Sequence, residues 1–524
     1  MKAQAETKER IVVIGAGMGG LAAAIRLAAK GKAVTLVEAM GSPGGKMRSV
    51  PSVAGPIDAG PTVLTMRQVF DDLFALAGER LEHHLALLPQ AVLARHWWPE
   101  GGPLDLTGDP GTDARAIEAF AGPSEARAFE RFDRLAAALH RAFDAPVMQA
   151  PRPRLGAILA AALRTPALWP ALCPGRTLAG VLQGQFRDPR LAQLFARYAT
   201  YVGGRPSHSP GVLAVIWRAE AAGVWAVEGG MHRLALALAG LAQRLGVDLR
   251  LNTTARRIVR QGGRVHSVEL LNGTSLPCAA CVFAGDPAAL SRGLLGEGLE
   301  TALPRSHTEP RSLSAWVWSF AAVPEGPVAR DLVHHNVFFP ADTAREFGPL
   351  GRGEMPETPT LYICAEDRAG ALRRDGPERF EIIINAPAGR SDHPEDFARC
   401  HARTFQTLRR RGVWFTPEPG VEALTTPAAL DRMFPGSGGA IYGRSPEGSF
   451  AAFQRPGART KVPGLYLAGG GAHPGAGVPM AALSGRHAAE AVMADQTSVS
   501  MSGRTAMPGG IWTRFRTTGR APSR

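Results

Sequence analysis

The stretch from Arg10 to Arg48 constrains the fold of this 524-residue chain more than any other. The apolar run Ile11 to Ile14 predicts a short strand buried on both faces. A glycine turn of the form G-x-G-x-x-G and an Ala/Leu-rich helix follow, and a second apolar strand then ends at an acid. The glycines and the acid are Gly15, Gly17, Gly20 and Glu38. Strand, glycine turn, helix, strand and acid in this order predict a unit that binds a dinucleotide.

Each residue of this unit has its own task. Gly15 permits the tight turn, Gly17 lets the backbone approach a pyrophosphate, and Gly20 lets the helix pack closely on the strand. Free N–H groups at the start of the helix favour the negative charge of the phosphates. Glu38 is placed to accept a hydrogen bond from a ribose hydroxyl. Because an acid here disfavours a 2′-phosphate, we expect NAD or FAD rather than NADP.

Charge and cysteine content narrow the possible partners. The net charge of +13 suits nucleic acid, an anionic membrane or no particular partner. The sequence has neither zinc-finger spacing nor the aromatic and basic pattern of an RNA-binding sheet, so we expect no nucleic-acid partner. The five cysteines are odd in number and scattered, which disfavours a disulfide framework. Cys278 and Cys281 have redox or metal-site spacing, but their apolar surroundings favour a buried strand, and we predict no metal.

The two ends of the chain are polar. The first ten residues, MKAQAETKER, predict no signal peptide. Residues 462–485 form the longest stretch without formal charge, but three prolines and seven glycines within it argue against a transmembrane helix. The polar, basic sequence from Asp495 to Arg524 predicts a disordered tail.

The segment from Pro151 to Phe186 differs from its neighbours. It is apolar, is broken by prolines, and carries Arg154, Arg164 and Arg176. One interpretation is a helical cap that packs on the core. The other is a contact with a membrane surface, in which apolar residues and Trp169 enter the interface and the arginines meet anionic headgroups.

Strand patterns dominate the middle of the chain. Alternating residues around Trp316 and Trp318, together with the apolar runs 361–364 and 380–386, predict an antiparallel sheet. The dipeptide Asp105-Leu106, followed by the sequence GDPG at 108–111, predicts a strand edge and a turn.

The closing segment is the second informative stretch. A buried strand, Leu465 to Ala468, leads into the glycine-rich loop 469–477, and a helix is predicted from Met480 to Met493. The glycines allow a ligand to approach the backbone closely, and Pro479 suits the first position of a helix. The N-terminus of that helix would direct positive partial charge at whatever the loop binds.

Two sets of motifs resemble those of one family. Glu38-Ala-x4-Gly-Gly-Lys-x-Arg48, followed by Asp58-x-Gly-Pro-Thr62, resembles the FAD-binding start of the amine-oxidase and phytoene-desaturase superfamily. Residues 225–286 resemble its second FAD segment, although FAGD at 283–286 replaces the usual small polar strand end. The closing motif GLYLAGGGAHPGAGVPMAALSGR, preceded by FPGSGGAIYGR, resembles the bacterial phytoene-desaturase-like carotenoid oxidoreductases. Within that family it is most similar to the hydroxyneurosporene desaturases.

The resemblance implies an α/β fold in which a Rossmann-like FAD-binding domain is split along the chain. An α+β substrate domain, with an antiparallel sheet and a helical cap, would complete the molecule. The expected boundaries are 1–95, 223–290 and 456–494 for the FAD-binding parts, 96–222 and 291–455 for the substrate domain, and 495–524 for the tail.

The resemblance also implies FAD as the cofactor and an activity in carotenoid biosynthesis. The expected reaction is C-3,4 desaturation of 1-hydroxycarotenoids such as 1-hydroxyneurosporene, with flavin N5 as the hydride acceptor. Phytoene desaturation and carotenoid cis–trans isomerisation are alternatives within the family, and a non-catalytic flavoprotein docked at a membrane is a third. Because we find one dinucleotide motif, we expect oxygen or a quinone to accept the electrons. We expect a peripheral protein on the cytoplasmic side of the inner membrane.

The motifs and the resemblance together nominate a set of cofactor-binding residues, among which Lys46 and Arg48 would add two cations near the phosphates. The full set is Gly15, Gly17, Gly20, Glu38, Gly45, Lys46, Arg48, Gly60, Pro61, Thr62, Gly469, Gly470, His473, Pro474, Gly477, Val478 and Pro479. No side chain stands out as the proton acceptor. The titratable candidates, each expected to be structural, are Asp133, His208, Glu228 and His473.

Overall fold

A five-stranded parallel sheet forms the centre of the first domain. The computed structural model describes residues 10–173, 175–370 and 376–504. The strand Ile11–Ile14 lies in the middle of the sheet, is fully buried, and pairs in parallel on both sides. From edge to edge the strands are Leu465–Leu467, Ala280–Phe283, Ile11–Ile14, Val34–Val37 and Asp248–Arg250. Three distant parts of the chain therefore build one sheet, as the split domain predicted.

Helices cover this sheet and fix the position of its glycine turn. The helix Met18–Ala28 packs against His232–Arg244 and against the closing helix Val478–Arg504. A Cβ atom on Gly485 would lie 2.3 Å from the carbonyl oxygen of Gly19, so the two helices can cross this closely only without a side chain there. A shorter helix, Gln68–Ala75, packs against the same pair.

The closing helix is longer than the sequence predicted. It runs to Arg504, so the prediction of a disordered tail is wrong for residues 495–504. Residues 486–502 contain neither proline nor glycine, so nothing in the sequence ends the helix at Asp495. The remainder of the predicted tail, residues 505–524, lies outside the described residues.

Smaller antiparallel units complete the first domain. Ala255–Gln261, Arg264–Leu270 and Ser275–Pro277 form a three-stranded sheet whose first turn contains Gly262 and Gly263. Two further strand pairs are antiparallel. Ser49–Val50 pairs with Ile57–Asp58 and closes a short loop, and Leu87–Pro89 pairs with the distant strand Trp225–Val227.

A larger sheet forms the second domain. The predicted strands around Trp316 and at 361–364 and 380–386 pair antiparallel, which confirms that prediction. Elsewhere in the sheet, His335–Phe338 pairs in parallel with Ala94–Trp97. A parallel pair needs a long crossover, and residues 98–334 provide one. The boundary predicted after residue 95 falls inside the strand Ala94–Trp97. In order, the strands are Trp414–Thr416, Ser314–Glu325, Glu378–Ala386, Leu361–Ala365, His335–Phe338, Ala94–Trp97 and Leu104–Leu106, and Leu424–Thr425 pairs with Ser314–Glu325.

Helices form a cap over one side of the second domain. The stretch GDPG at 108–111 begins a helix instead of the predicted turn, since Asp109 accepts a hydrogen bond from the backbone N–H of Thr112 and Pro110 is the first helical residue. The cap helices are Pro110–Ala121, Pro123–Phe143, Leu155–Arg164, Trp169–Leu172, Leu178–Gln185, Pro189–Ala196 and Val215–Ala221. Their apolar faces enclose a core that includes Phe129, Phe132, Phe195 and Trp217.

The remaining helices are short, and the first of them packs on the parallel sheet of the first domain. They are Ala288–Ser291, Ala344–Gly351, Asp396–His401, Thr407–Arg410 and Pro427–Met433. Within the described ranges, no helix combines the length and the apolar character needed to span a membrane.

Candidate functional site

The glycine turn after the central strand has a shape that accepts a diphosphate. A Cβ atom on Gly20 would lie 1.9 Å from the carbonyl oxygen of Gly15, so no side chain fits at that position. A Cβ atom on Gly17 would meet nothing nearer than the carbonyl oxygen of Gly44 at 4.0 Å, which leaves open space beside the turn. The helix Met18–Ala28 begins directly after Gly17, and its first N–H groups have no carbonyl partner within the helix. Open space beside free N–H groups fits the diphosphate of FAD.

Glu38 lies beside this turn, at the end of its strand. Its Oε2 atom accepts a hydrogen bond from the N–H of Ala16 at 2.7 Å, and its Oε1 atom accepts one from Met40 at 3.0 Å. Only 7% of the residue is exposed. These bonds fix the carboxylate next to the glycine turn, and each oxygen keeps a lone pair for a ribose hydroxyl. The ribose contact itself stays a prediction.

Two further loops pack against the glycine turn. The N–H of Gly44 donates to the carbonyl of Ala16 at 2.8 Å, and a Cβ atom on Gly45 would lie 3.2 Å from the Cα atom of Gly17. On the other side, a Cβ atom on Gly19 would lie only 2.3 Å from the N atom of Gly469. We call the turn 15–20 and the loops 44–45 and 469–470 the cofactor cradle. It is made of backbone held at distances that exclude side chains.

Lys46 and Arg48 have protein partners outside the cradle. Lys46 donates to the carbonyl oxygens of Ile441 at 2.7 Å and Ala440 at 3.4 Å, and burial lowers its pKa to about 8. Arg48 donates to the hydroxyl of Thr425 at 2.8 Å. Both cations therefore tie the first FAD segment to the segment 425–441. The contacts expected between them and the phosphates stay predictions.

The closing loop is held by a buried arginine and a histidine. Arg455 donates to the carbonyls of Gly470 at 2.8 Å and Tyr442 at 2.7 Å, and burial lowers its pKa to about 10. The Nε2 atom of His473 lies 2.9 Å from the carbonyl oxygens of both Val147 and Ala150. His473 therefore anchors the loop to the cap, and it does not belong to the cavity wall.

An apolar cavity of about 420 Å³ opens beside the cofactor cradle. Its floor contains several residues predicted to bind the cofactor, namely Gly477 and Val478 with Pro61, Thr62, Pro474 and Pro479. Gly60, just before them, packs against the backbone, since a Cβ atom on it would lie 1.9 Å from the carbonyl oxygen of Lys46. The walls come from both domains and include Phe143, Val147, Val212, Val215, Ile216 and Ile383. We call this space the substrate cavity.

A hydrogen-bonded chain of side chains forms one polar part of the cavity wall. The hydroxyl of Thr62 lies 2.6 Å from that of Tyr362, which in turn lies 2.7 Å from the Nδ1 atom of His335. Burial lowers the pKa of His335 and raises the pKa of Tyr362, so both side chains are neutral at physiological pH. Thr62 and His335 therefore satisfy the Tyr362 hydroxyl without a ligand.

A second polar part of the wall is a buried ion pair. Arg197 and Glu220 both line the cavity, and their Nη2 and Oε2 atoms lie 3.1 Å apart. Burial opposes the charge of Arg197, yet the carboxylate of Glu220 keeps the arginine pKa above its usual value. The rings of Tyr198 and Tyr201 pack on the guanidinium, with centroids 4.5 Å and 5.1 Å from its Cζ atom.

None of the four titratable candidates from the sequence is among the residues that line the substrate cavity. Asp133 accepts a hydrogen bond from the indole N–H of Trp217 at 2.9 Å. His208 is exposed and contacts the hydroxyl of Ser207 at 2.9 Å. Glu228 is exposed, and His473 anchors the closing loop. That each of the four is structural stays a prediction.

The buried cysteines serve packing. Cys278 and Cys281 are free thiols, and Cys281 lies in a central strand, as their apolar surroundings predicted. A third, Cys364, lies 3.9 Å from the Nε2 atom of His334 and near His335, which places three potential metal ligands together. Burial raises the pKa of the Cys364 thiol far above its usual value, whereas a metal would need the thiolate.

Sequence analysis did not find the polar residues of the cavity wall. Arg197, Tyr201 and Glu220 belong to no motif, and the ion pair joins residues that lie 23 positions apart on separate helices. Tyr362 was placed in a strand, but its contact with Thr62 joins residues 300 positions apart. The only local signal was an arginine and two tyrosines, RYATY at 197–201, in an otherwise apolar stretch.

Comparison with known proteins gives one consistent family. The model of the flavin-containing amine oxidoreductases matches residues 18–320 and 436–493. The hydroxyneurosporene desaturase of Cereibacter sphaeroides is 62% identical and that of Rhodobacter capsulatus 57%, with 94% of this chain and 99% of each relative covered. A 1-hydroxycarotenoid 3,4-desaturase of a Flavobacterium species is 26% identical over 92% of this chain and 99% of its own.

Solved structures share the fold at low sequence identity. Cyclohexylamine oxidase from Brevibacterium oxydans superposes with a TM-score of 0.56 at 18% identity, over 94% of this chain and all of the oxidase. At this identity the likeness concerns the fold alone, and it agrees with the split FAD-binding domain.

Proposed function

Because the chain belongs to the flavin-containing amine oxidoreductases, and among them to the hydroxyneurosporene desaturases, its cofactor is FAD, and we propose that it introduces the 3,4 double bond into 1-hydroxycarotenoids. The substrate class comes from the names of the relatives, and the bond position from that of the 3,4-desaturase. The structural observation that supports the proposal is the apolar cavity whose floor contains the predicted cofactor-binding residues Pro61, Thr62 and 474–479.

The residues of this chain supply orientation and a dry environment. After the hydride has left, the polyene delocalises the positive charge, and this charge makes the proton on the adjacent carbon acidic enough to pass to a weak base, so no strong base is required. Bound FAD supplies the hydride acceptor, flavin N5. Val215, Ile216 and Ile383 exclude water and hold the polyene against the floor of the cavity, where correct placement has the largest effect on rate.

The proposal includes contact with a membrane surface. Four large apolar side chains on the cap side are more than half exposed: Leu159, Leu163, Trp169 and Phe450. We call them the apolar patch. Exposed arginines, Arg154, Arg164 and Arg176, flank it in the sequence, which suits anionic headgroups. The N–H of Gly175 donates to the hydroxyl of Ser449 at 3.1 Å, which joins the two segments of the patch.

Residues of the apolar patch and residues that line the cavity are close to one another in the sequence. Phe143, Val147 and Met148 line the cavity shortly before the helix Leu155–Arg164, and Phe453 lines it three positions after Phe450. A carotenoid dissolved in lipid would therefore enter at the patch, which agrees with a peripheral protein at the cytoplasmic face of the inner membrane. Oxygen or a quinone dissolved in that membrane would accept the electrons from the flavin.

The proposal is tested with purified holoprotein under anaerobic conditions. We expect 1-hydroxyneurosporene in lipid vesicles to bleach the flavin absorption while the polyene bands shift to the red. Separate addition of oxygen and of a quinone then shows which acceptor restores the flavin. A phytoene sample is the matched control.

Each alternative gives a different result. Turnover of phytoene but not of the hydroxylated carotenoid would assign the chain to phytoene desaturation. A changed isomer pattern with the flavin still oxidised would indicate an isomerase. Flavin that stays oxidised with unchanged carotenoids would leave a non-catalytic flavoprotein.

A further inference from the structure

Three polar side chains grouped around one guanidinium, Arg197, Tyr201 and Glu220, interrupt the apolar wall of the substrate cavity. Arg197 and Glu220 form an ion pair in which each side chain is only 5% exposed, and Tyr198 and Tyr201 complete the group. Removal of two charges from water costs free energy that an ion pair does not always recover. An apolar polyene makes no use of such a group, so its presence in this wall needs another explanation.

One guanidinium organises the four side chains. The Nη2 atom of Arg197 donates to Glu220 Oε2 and to the hydroxyl of Tyr198, each at 3.1 Å, while its Nη1 atom donates to the hydroxyl of Tyr201. The hydroxyl of Tyr198 in turn donates to Glu220. Tyr201 and Glu220 therefore lie on neighbouring nitrogens of the same planar group, and both line the cavity, whereas Tyr198 does not.

Hydrogen-bonding capacity is left over on the cavity side. Tyr201 accepts from Arg197, but none of the hydrogen bonds among the described residues uses the proton of its own hydroxyl. Glu220 directs its short contacts through Oε2, and its Oε1 atom has only a long contact of 3.4 Å to Arg197. The wall thus offers one donor and one acceptor next to each other. A hydroxyl group, which donates one hydrogen bond and accepts others, matches this pair.

We propose that Tyr201 and Glu220 bind the 1-hydroxyl group of the carotenoid and thereby select hydroxylated substrates. Tyr201 donates to the hydroxyl oxygen, Glu220 accepts its proton in a hydrogen bond, and Arg197 holds both in place. This inference rests on the proposed function, since it identifies the group that the substrate class adds to a plain polyene. We call the pair the hydroxyl subsite.

The position suits the reaction. C1, which carries the hydroxyl, is separated from the 3,4 bond by a single carbon, so the hydroxyl subsite and the floor must open on the same cavity, as they do. An apolar pocket alone discriminates weakly between a molecule and its hydroxylated analogue. A site built to bind a hydroxyl rejects the analogue without one far more strongly, because its polar groups are then left without partners.

Other polar groups in the wall are less suitable. The hydroxyl of Tyr362 already contacts Thr62 and His335, so a substrate would have to compete with protein partners. Tyr442 also lines the cavity, and burial raises its pKa to about 12. It offers a hydroxyl without a charged acceptor beside it, and it therefore serves as the alternative location in the test.

The test compares two carotenoids that differ only at the hydroxylated end, 1-hydroxyneurosporene and neurosporene. Binding to the holoprotein in detergent is measured by quenching of protein fluorescence, and flavin reduction by anaerobic stopped-flow. We expect the wild-type protein to favour the hydroxylated carotenoid, Tyr201→Phe to weaken its binding about three- to tenfold, and Glu220→Gln to weaken it about tenfold or more. Binding of neurosporene should stay the same or improve in Tyr201→Phe.

The comparison of substrates separates recognition from folding. Equal weakening of both carotenoids by Tyr201→Phe would overturn the inference, since it would indicate a structural role. Loss of selectivity in Tyr442→Phe, with Tyr201→Phe unchanged, would place the subsite elsewhere and also overturn it. Because Glu220→Gln leaves Arg197 without its counter-ion, this variant could fail to fold, and its flavin content and melting temperature are therefore recorded. If Glu220→Gln does not fold, the result for Tyr201→Phe decides. Selective binding that Tyr201→Phe abolishes, without any flavin reduction, would support the subsite and overturn the proposed function.

Discussion

The cofactor cradle and the substrate cavity share a boundary but are built in different ways. The cradle consists of backbone: where its segments meet, a Cβ atom on Gly20 or Gly19 would come within 1.9 Å or 2.3 Å of a backbone atom. The cavity consists of side chains, such as Ile216 and Ile383, contributed by segments far apart in the chain. At Gly19 and Gly20 the backbone contacts exclude any side chain, whereas the lining of the cavity can change its ligand by substitution of side chains.

This difference divides the roles of the two regions. The phosphates of FAD can be recognised by backbone N–H groups, which every residue except proline carries. Carotenoids differ in length and end groups, so their recognition requires particular side chains. Substitutions in the cradle should therefore remove the cofactor or the fold, and substitutions in the cavity should change the substrate or the rate.

The largest effect is expected from Gly20→Ala. Its Cβ atom would overlap the carbonyl oxygen of Gly15, which belongs to the backbone and can move only with the central strand. We expect a loss of about 3 kcal/mol or more in the free energy of unfolding and no bound flavin. Urea unfolding and the flavin absorption spectrum measure both.

Gly17→Ala is the matched control within the same turn. The nearest protein atom to its Cβ would be 4.0 Å away, so the protein has room for the methyl group, but the diphosphate would not. We expect near-normal stability with flavin affinity reduced about tenfold or more. If Gly17→Ala keeps full flavin affinity, the diphosphate does not lie against this turn.

A cavity substitution should show the opposite pattern. Ile216 lies in the wall and has space in front of it, so Ile216→Trp would fill part of the cavity without contact with the cradle. We expect normal flavin content and a loss in kcat/KM of about ten- to hundredfold, because misplacement of the substrate is costly. Ile216→Val is the control, with activity close to wild type. Loss of flavin in Ile216→Trp would show that the two regions are not separable.

Sequence reasoning was accurate where chemistry depends on neighbours along the chain. The strands Ile11–Ile14 and Val34–Val37, the glycine turn and Glu38 all lie where the motif predicted, because βαβ geometry is local. Part of the closing loop lines the cavity, and its contact with the cofactor stays a prediction. In contrast, GDPG at 108–111 permits either a turn or a helix start, and the residues that follow decide between them.

Long-range pairing could not be predicted in the same way. No pattern in Arg197 or Glu220 shows that they meet, since each is one of many charged residues in helices. His473 was assigned to the cofactor by its motif, but the carbonyls it contacts lie in the segment 147–150, more than three hundred positions away. The glycine turn and side chains at fixed motif positions, such as Glu38, could therefore be predicted, and side chains that meet only through long-range contacts could not.

A buried carboxyl group where the two domains meet should make stability depend on pH. The N–H of Asp58 donates to Glu366 Oε1 at 2.7 Å, and burial together with the charge of Asp58 raises the pKa of Glu366 to about 8. A raised pKa means that the folded protein favours the protonated acid. The contribution to stability is therefore complete below about pH 4.5 and is lost as the pH rises to about 8.

Glu366→Gln should remove this dependence, because glutamine resembles the neutral acid. Between pH 5 and pH 8, we expect the free energy of unfolding to fall less steeply in the variant, with a difference of at most about 1.4 kcal/mol per pH unit. Urea unfolding at three pH values measures it. Glu354→Gln, an exposed position, is the control and should follow the wild type. If the free energy of unfolding depends on pH in the same way in Glu366→Gln and in the wild type, Glu366 is ionised in the folded state.

The smallest effect is expected outside both regions, at the apolar patch. Leu163 and Leu271 are each 67% exposed, but only Leu163 belongs to the patch. If the cavity takes its substrate from lipid, Leu163→Asn should lower binding to anionic vesicles about three- to tenfold, since one leucine side chain no longer enters the interface. Leu271→Asn is a matched control, because it removes the same apolar surface from the side of the three-stranded sheet.

Vesicle flotation measures the binding of both variants, and the same samples report activity in detergent. Leu163→Asn should retain its activity on carotenoid dissolved in detergent, since the substitution lies outside the cavity wall. Activity on carotenoid in vesicles should fall in proportion to the lost binding. Equal vesicle binding by Leu163→Asn and Leu271→Asn would show that the apolar patch does not bind the membrane. The substrate would then have to reach the cavity by another route.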